Sequence, residues 1–247
     1  LGVDEPDVVK TDGRTLFRVE GDDLVTYDVT GADVERLASA DLVDLDDGEI
    51  LLSGDTVVAI GTSGGGARGG YDDGYPESLE TRVVVLDVSD PQEPEVDHTY
   101  LFSSATVEAR LHGDTVRLVT QAGLPDLDFE TAGDDPNRAL QENRDEVRDS
   151  EIEDWLPTVS TDGGDPEPLL DCADVAIPND GTSLGTIAVV GFDADEPDDR
   201  SVSGLAVDTS LAYLSSDQLY LATTPASGFG GCLDVCVPEQ DLPRWLP

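Results

Sequence analysis

Four carboxylates near the start of the chain, Asp4, Glu5, Asp7 and Asp12, flank Lys10, the one lysine in the sequence. Acids around an ammonium can do one of two things. They can form buried ion pairs that tie the entering chain to a sheet edge, or they can build a site for a cation or charged ligand. Elsewhere Gly61-Thr62-Ser63-Gly64-Gly65 matches the G-x-S-x-G of a nucleophile elbow. That chemistry needs a strand, a sharp turn and then a helix, and here a glycine run follows. Gly64 to Gly69 matches G-x-G-x-x-G, again without a helix or a βαβ unit. Both read as loop. His98 and His112 are the only histidines; His112 reads as an exposed hairpin-turn residue and His98 as one near a strand start. Asp44-Leu45-Asp46-Asp47-Gly48-Glu49 is close to a calcium loop but misses its spacing, and the acid run from Asp193 to Asp199 does the same. No catalytic residue is assigned. The binding candidates are Asp4, Glu5, Asp7, Lys10 and Asp12, no cofactor is expected, and carboxylate-held calcium is the alternative.

The elements that must position these residues repeat. Four blocks each carry a turn and then an alternating strand: Thr11 to Val19, Ser53 to Ile60, His112 to Val119 and Ser215 to Ala222. Asp with Gly or Ser between two β-rich runs is a hairpin signal. A second apolar block ending in Asp follows the first three, at Leu24–Asp28, Val83–Asp87 and Ile187–Asp193. Asp12 and Asp55 lie 43 positions apart, which suits a four-stranded propeller blade. The predicted fold is all-β: a β-propeller of three four-stranded blades and part of a fourth, forming one domain over 1–247. A sandwich or meander is the other all-β reading. Two insertions interrupt the repeat. Ser63–Ser78 is Gly-rich and reads as a flexible loop. Residues 124–183 form a long insertion inside the third blade, with a helix near 135–156. Asp135 is its N-cap, Pro136 its first turn, and Pro157 its stop. Leu140, Val147, Ile152, Trp155 and Leu156 form its apolar stripe. Closed propellers have four to eight blades, so an open arc is expected. The missing blades would come from the parent chain or another chain, and Val8-Val9-Lys10 is the strand available to complete the last blade.

Charge sets the surroundings. Asp plus Glu number 55 against 13 Lys plus Arg, a formal charge of −42, while 38% of residues are hydrophobic. The apolar residues sit in compact alternating blocks, which argues for a folded protein with an acid-coated surface rather than a disordered chain. Such a surface suits concentrated salt, where the Debye length is only about 3 Å at 1 M. It argues against nucleic acid as a partner. No stretch approaches the roughly 20 apolar residues of a membrane-spanning helix. The opening Leu1-Gly2-Val3-Asp4-Glu5-Pro6 shows no signal peptide and reads as the start of a mature domain.

Three stretches resemble a prokaryotic family of secreted proteins with a C-terminal β-propeller domain: Gly2 to Gly13, Ile152-Glu153-Asp154-Trp155-Leu156-Pro157, and Cys172 to Val175 with Ser183 to Ile187. The resemblance implies a propeller fold and export, hence an extracellular or cell-surface location, and it implies no activity. In an exported protein Cys232 and Cys236, within one short loop, are expected to pair as a disulfide, with Cys172 the less favoured partner. The expected function is a non-catalytic module that binds an unidentified protein or glycan partner in high salt. The alternatives are a calcium-dependent hydrolase with its site at the propeller mouth, and a surface spacer without a ligand.

Overall fold

The computed structural model describes residues 3–63, 71–72, 75–76, 80–125, 127–130, 133, 135–179, 184–209 and 211–223. The chain enters through two short strands, β1 (Val3–Asp4) and β2 (Val9–Thr11), and continues into β3 (Thr15–Glu20), β4 (Asp23–Asp28) and β5 (Glu35–Asp41). Strands β2 to β5 form an antiparallel four-stranded sheet in sequence order, the first blade. The second blade is built from β6 (Asp46–Ser53), β7 (Thr56–Ser63), a short hairpin β8 (Tyr71–Asp72) and β9 (Tyr75–Pro76) set apart from it, β10 (Glu80–Asp87) and β11 (Glu95–Phe102). The third starts with β12 (Ala105–His112) and β13 (Thr115–Ala122).

The insertion then supplies helix α1 (Pro136–Asp149) and strands β14 (Thr158–Thr161), β15 (Glu167–Pro168) and β16 (Val175–Ala176). The third blade resumes with β17 (Thr186–Asp193) and β18 (Glu196–Leu205). Strands β19 (Ala212–Leu214) and β20 (Leu219–Leu221) pair as the first hairpin of a fourth.

The repeated sequence blocks form the repeated geometry. The turn glycines Gly54 and Gly113 lie at φ of 55° and 66°, where a side chain would be strained. After each Asp-ended third strand, the next backbone N–H reaches back to the first hairpin's turn: Val29 to Arg14, Val88 to Asp55 and Ala194 to Asp114. In the first two blades the terminal Asp closes the local bend: Asp28 accepts from the Thr30 N–H and hydroxyl and Asp87 from the Ser89 N–H, whereas Asp193 accepts from the Thr115 hydroxyl on the neighbouring strand.

The sheets pack face to face in order, which defines the propeller. Phe17 and Leu24 of the first blade meet Ile50, Val57, Val84 and Leu86 of the second, with Leu42 and Leu45 of the connector filling the seam. Val58, Val83, Val85, Tyr100 and Phe102 of the second meet Leu111, Val116, Leu118, Val190 and Phe192 of the third. Val119 and Ile187 of the third then meet Ala212 and Leu214 of the fourth.

Four expectations are corrected. Val8-Val9-Lys10 does not complete a last blade; Val9–Thr11 is the innermost strand of the first, paired with Leu16–Arg18. The second and third sheets have six strands each, because borrowed strands extend them. The insertion is not confined to the third blade: β14 pairs with β11 on the outer edge of the second, and β16 then returns to lie parallel to β18. Helix α1 stops at Asp149 rather than running to Leu156. Asp135 caps its start by accepting the Arg138 N–H at 3.1 Å. At its end Ser150 turns extended, and its hydroxyl accepts the Trp155 indole N–H at 2.9 Å. Glu151 and Asp154 then cap a separate 3-10 turn, Ile152–Trp155.

Candidate functional site

The entry segment brings the predicted binding residues to the inner strands of the blades. Lys10 leaves β2 and places its ammonium 2.8 and 2.9 Å from the two carboxylate oxygens of Asp4, and 2.5 Å from the Glu5 carbonyl. Its side chain is only 14% exposed. Glu5 Oε1 accepts from Arg110 Nη2 at 3.0 Å. Arg110, on β12 and equally sheltered, also donates to Glu108 and to the Ala109 carbonyl. Asp7 and Asp12 stand apart from this group. Asp7 exchanges backbone hydrogen bonds with Ile50, and its side chain accepts the Val8 N–H. Asp12 accepts the Arg14 and Thr15 N–H groups at 2.7 Å in the hairpin turn, and the Thr15 bond chiefly holds its carboxyl below the usual range. Sequence reasoning missed Arg110 and Glu108, which sit inside a run that reads only as strand.

A second constellation lies between the second and third blades. Tyr100 is buried in the core, and its hydroxyl donates to Asp198 at 2.8 Å while the Arg200 guanidinium lies 4.6 Å over its ring. His98 stacks on Tyr100 with ring centroids 6.1 Å apart, and its Nδ1 lies 3.4 Å from Asp162. Neither histidine is an exposed turn residue: His98 lies within β11, and His112 ends β12, opposite Val3. Asp162 accepts the Thr99 N–H at 2.8 Å, and this bond is the main reason its carboxyl is held below the usual range. Beside His98 opens a cleft of about 340 Å³, lined by Asp55, Asp87, Asp97 and Asp195 over a floor that includes Val85 and Pro197. Its lining favours cationic groups.

The other motifs take structural positions. Gly61 lies in the middle of a sheet, and Gly64 and Gly65 fall outside the described residues. In the acid run 44–49, Leu45 is buried in the connector and residues 46–49 open β6. Among the described residues no three His, Cys, Asp or Glu side chains converge as metal ligands. Cys172 is a free, exposed thiol, and Cys232 and Cys236 lie outside the described residues. No described helix is long and apolar enough to cross a membrane.

Consecutive sheets packed face to face, each opened by the same hairpin, define the architecture, and a family model agrees with it. The model for the beta propeller domain matches residues 1–242. The chain belongs to this beta propeller domain family. No curated protein and no solved structure matches it. Membership fixes the fold and leaves the chemistry to the residues themselves.

Within this propeller the Tyr100 phenol has a distinct titration. Burial first, and then its bond to Asp198, push its pKa upward. The unfolded phenol ionises near pH 10. Tyr100 therefore contributes stability that is full below about pH 10 and lost as the pH rises above it. In an alkaline titration followed by phenolate absorbance, Tyr100 will ionise only as the protein unfolds. Tyr100→Phe will remove that step. Ionisation of Tyr100 in the folded state would contradict this.

Proposed function

We propose that this propeller is a non-catalytic, exported or cell-surface module that binds a protein partner in high salt. The observation that carries the reading is the helix-bearing insertion. Helix α1 buries only Ala139, while Leu140 and Val147 remain 51% and 43% exposed. Residues seven apart share one helix face, so the helix holds an apolar stripe in solvent. The Arg138–Glu142 and Arg148–Asp145 ion pairs run along the helix away from this face, and Asn143 ties the helix to the Glu130 backbone through two hydrogen bonds. A rigid scaffold presenting an apolar helical face on an inserted segment suits recognition by helix-in-groove packing.

The test is site-specific photocrosslinking at molar salt, on cells that carry the native protein. Probes at Leu140 and Val147 are expected to give one shared adduct that a probe at exposed Val34 does not give. Equal adducts at all three positions, or none at the helix, would reject the reading. Binding on a glycan array without a helix adduct would replace the protein partner by a glycan.

A further inference from the structure

The entry segment touches the inner strands of all three complete blades in turn. Val3 and Asp4 add to the edge of β12 in the third, facing His112 and Leu111. Asp7 pairs with Ile50 of β6 in the second: the Ile50 N–H donates to the Asp7 carbonyl at 2.8 Å, and the Asp7 N–H returns the bond at 3.2 Å. Val8 accepts the Val19 N–H of the first blade at 3.0 Å, and β2 completes that sheet. Nine residues therefore cross three inner edges.

The two cationic groups lie where the strap folds back on itself and where it meets the third blade. Lys10 joins the first-blade end of the strap to its third-blade end, Asp4. Arg110 holds Glu5 from the third blade itself. In a chain with 55 acids and 13 Lys plus Arg, two sheltered cations, one on this segment and one reaching it from β12, concentrate positive charge here.

We propose that residues 3–11 form a strap that locks the inner edges of three blades into one cooperative unit, with Lys10 and Arg110 as its electrostatic latches. The strap's backbone bonds supply an edge-covering partner to β12 and β6 and the inner strand of the first blade itself. The latches hold it down, because charge-assisted hydrogen bonds in sheltered positions are stronger than neutral ones. The insertion joins the second and third blades at their outer edges through β14 and β16, and the strap does the same at the centre.

The test is amide hydrogen exchange on the full chain at molar salt. Lys10→Met will speed exchange at Ile50, at Val19 and along the β1-facing edge of β12 by about tenfold, the factor given by a loss of about 1.4 kcal/mol. Central amides of β13 and β17 will keep their wild-type rates, and Lys10→Arg will restore most of the protection. Arg110→Gln will free the β12 edge and Ile50 ahead of Val19. Should Lys10→Met fail to fold, Asp4→Asn removes the same latch and is read in the same way. Faster exchange confined to the first blade would make Lys10 a local tether and overturn the proposal. Unchanged exchange in all variants would overturn it as well.

Discussion

Moving the protein from molar salt to about 0.1 M at neutral pH will lower its melting midpoint by about 10 °C, as the Debye length grows from about 3 to 10 Å. The formal charge of −42 gives the general cause, and the sheet register gives a specific one. Acids face acids across neighbouring strands near the sheet ends: Glu20 with Asp23, Asp23 with Asp41, Asp28 with Glu35, Asp87 with Glu95, and Asp193 with Glu196. Like charges directly opposite each other cost roughly 0.2–1 kcal/mol apiece, so these five facings amount to a few kcal/mol when unscreened. In a chain of this size about 1 kcal/mol moves the midpoint by roughly 2–4 °C. The latch pairs of Lys10 and Arg110 respond in the opposite sense, since salt weakens attraction as well. They are few, and the net slope follows the acids. A triple variant, Asp23→Lys, Glu35→Lys and Glu95→Lys, will flatten the salt dependence while leaving molar-salt stability nearly unchanged. Melting midpoints of the wild type that stay level between molar and 0.1 M salt would refute the account. So would a triple variant that keeps the full slope.

The parts of this fold legible in the sequence are those fixed by local chemistry. Gly54 and Gly113 announce their turns because a positive φ demands glycine, and Asp28 and Asp87 mark strand ends because a short carboxylate bonds the backbone two residues on. Four repeats of one local solution therefore read as blades. What stays hidden depends on partners far along the chain. Strand β14 has only four residues, and its place on β11 is decided by packing near Leu169 and Leu170 rather than by its own alternation. Tyr100 and Asp198 meet across 98 positions, and nothing near either residue signals the other. The entry segment shows both cases. Lys10 stands out as the lone lysine, whereas its companion Arg110 is one of several arginines in strands, and only the pairing of β1 with β12 brings it to Glu5.

Gly61→Ala will destabilise the propeller by about 1–3 kcal/mol, the range for forcing an extra carbon into a packed core. Shortening Leu45 will not rescue it. The seam between the first two blades is built on residues 42–47, the connector and the start of β6, where Val43, Asp44 and Asp47 all sit at positive φ. That backbone path turns Leu42 and Leu45 inward, to 0% and 1% exposure. Leu45 then lies over two glycines. A Cβ on Gly48 would meet Leu45 Cδ2 at 2.2 Å, with nothing else nearer than Val19 at 3.5 Å. A Cβ on Gly61 would meet the Asp46 backbone oxygen at 2.4 Å, and Leu45 only at 3.0 Å. A side chain can be cut back; a carbonyl fixed at the β6–β7 bulge cannot. Leu45→Ala alone will cost about 2–5 kcal/mol through the cavity it leaves. Added to Leu45→Ala, Gly48→Ala will cost little or nothing, because its methyl enters vacated space. Gly61→Ala will add nearly its full cost in either background. Urea unfolding at constant molar salt measures all five variants without the ionic effect of guanidinium. If Gly61→Ala were neutral, or if Leu45→Ala relieved it as completely as it relieves Gly48→Ala, then Gly61 would not be held by close packing against the Asp46 carbonyl.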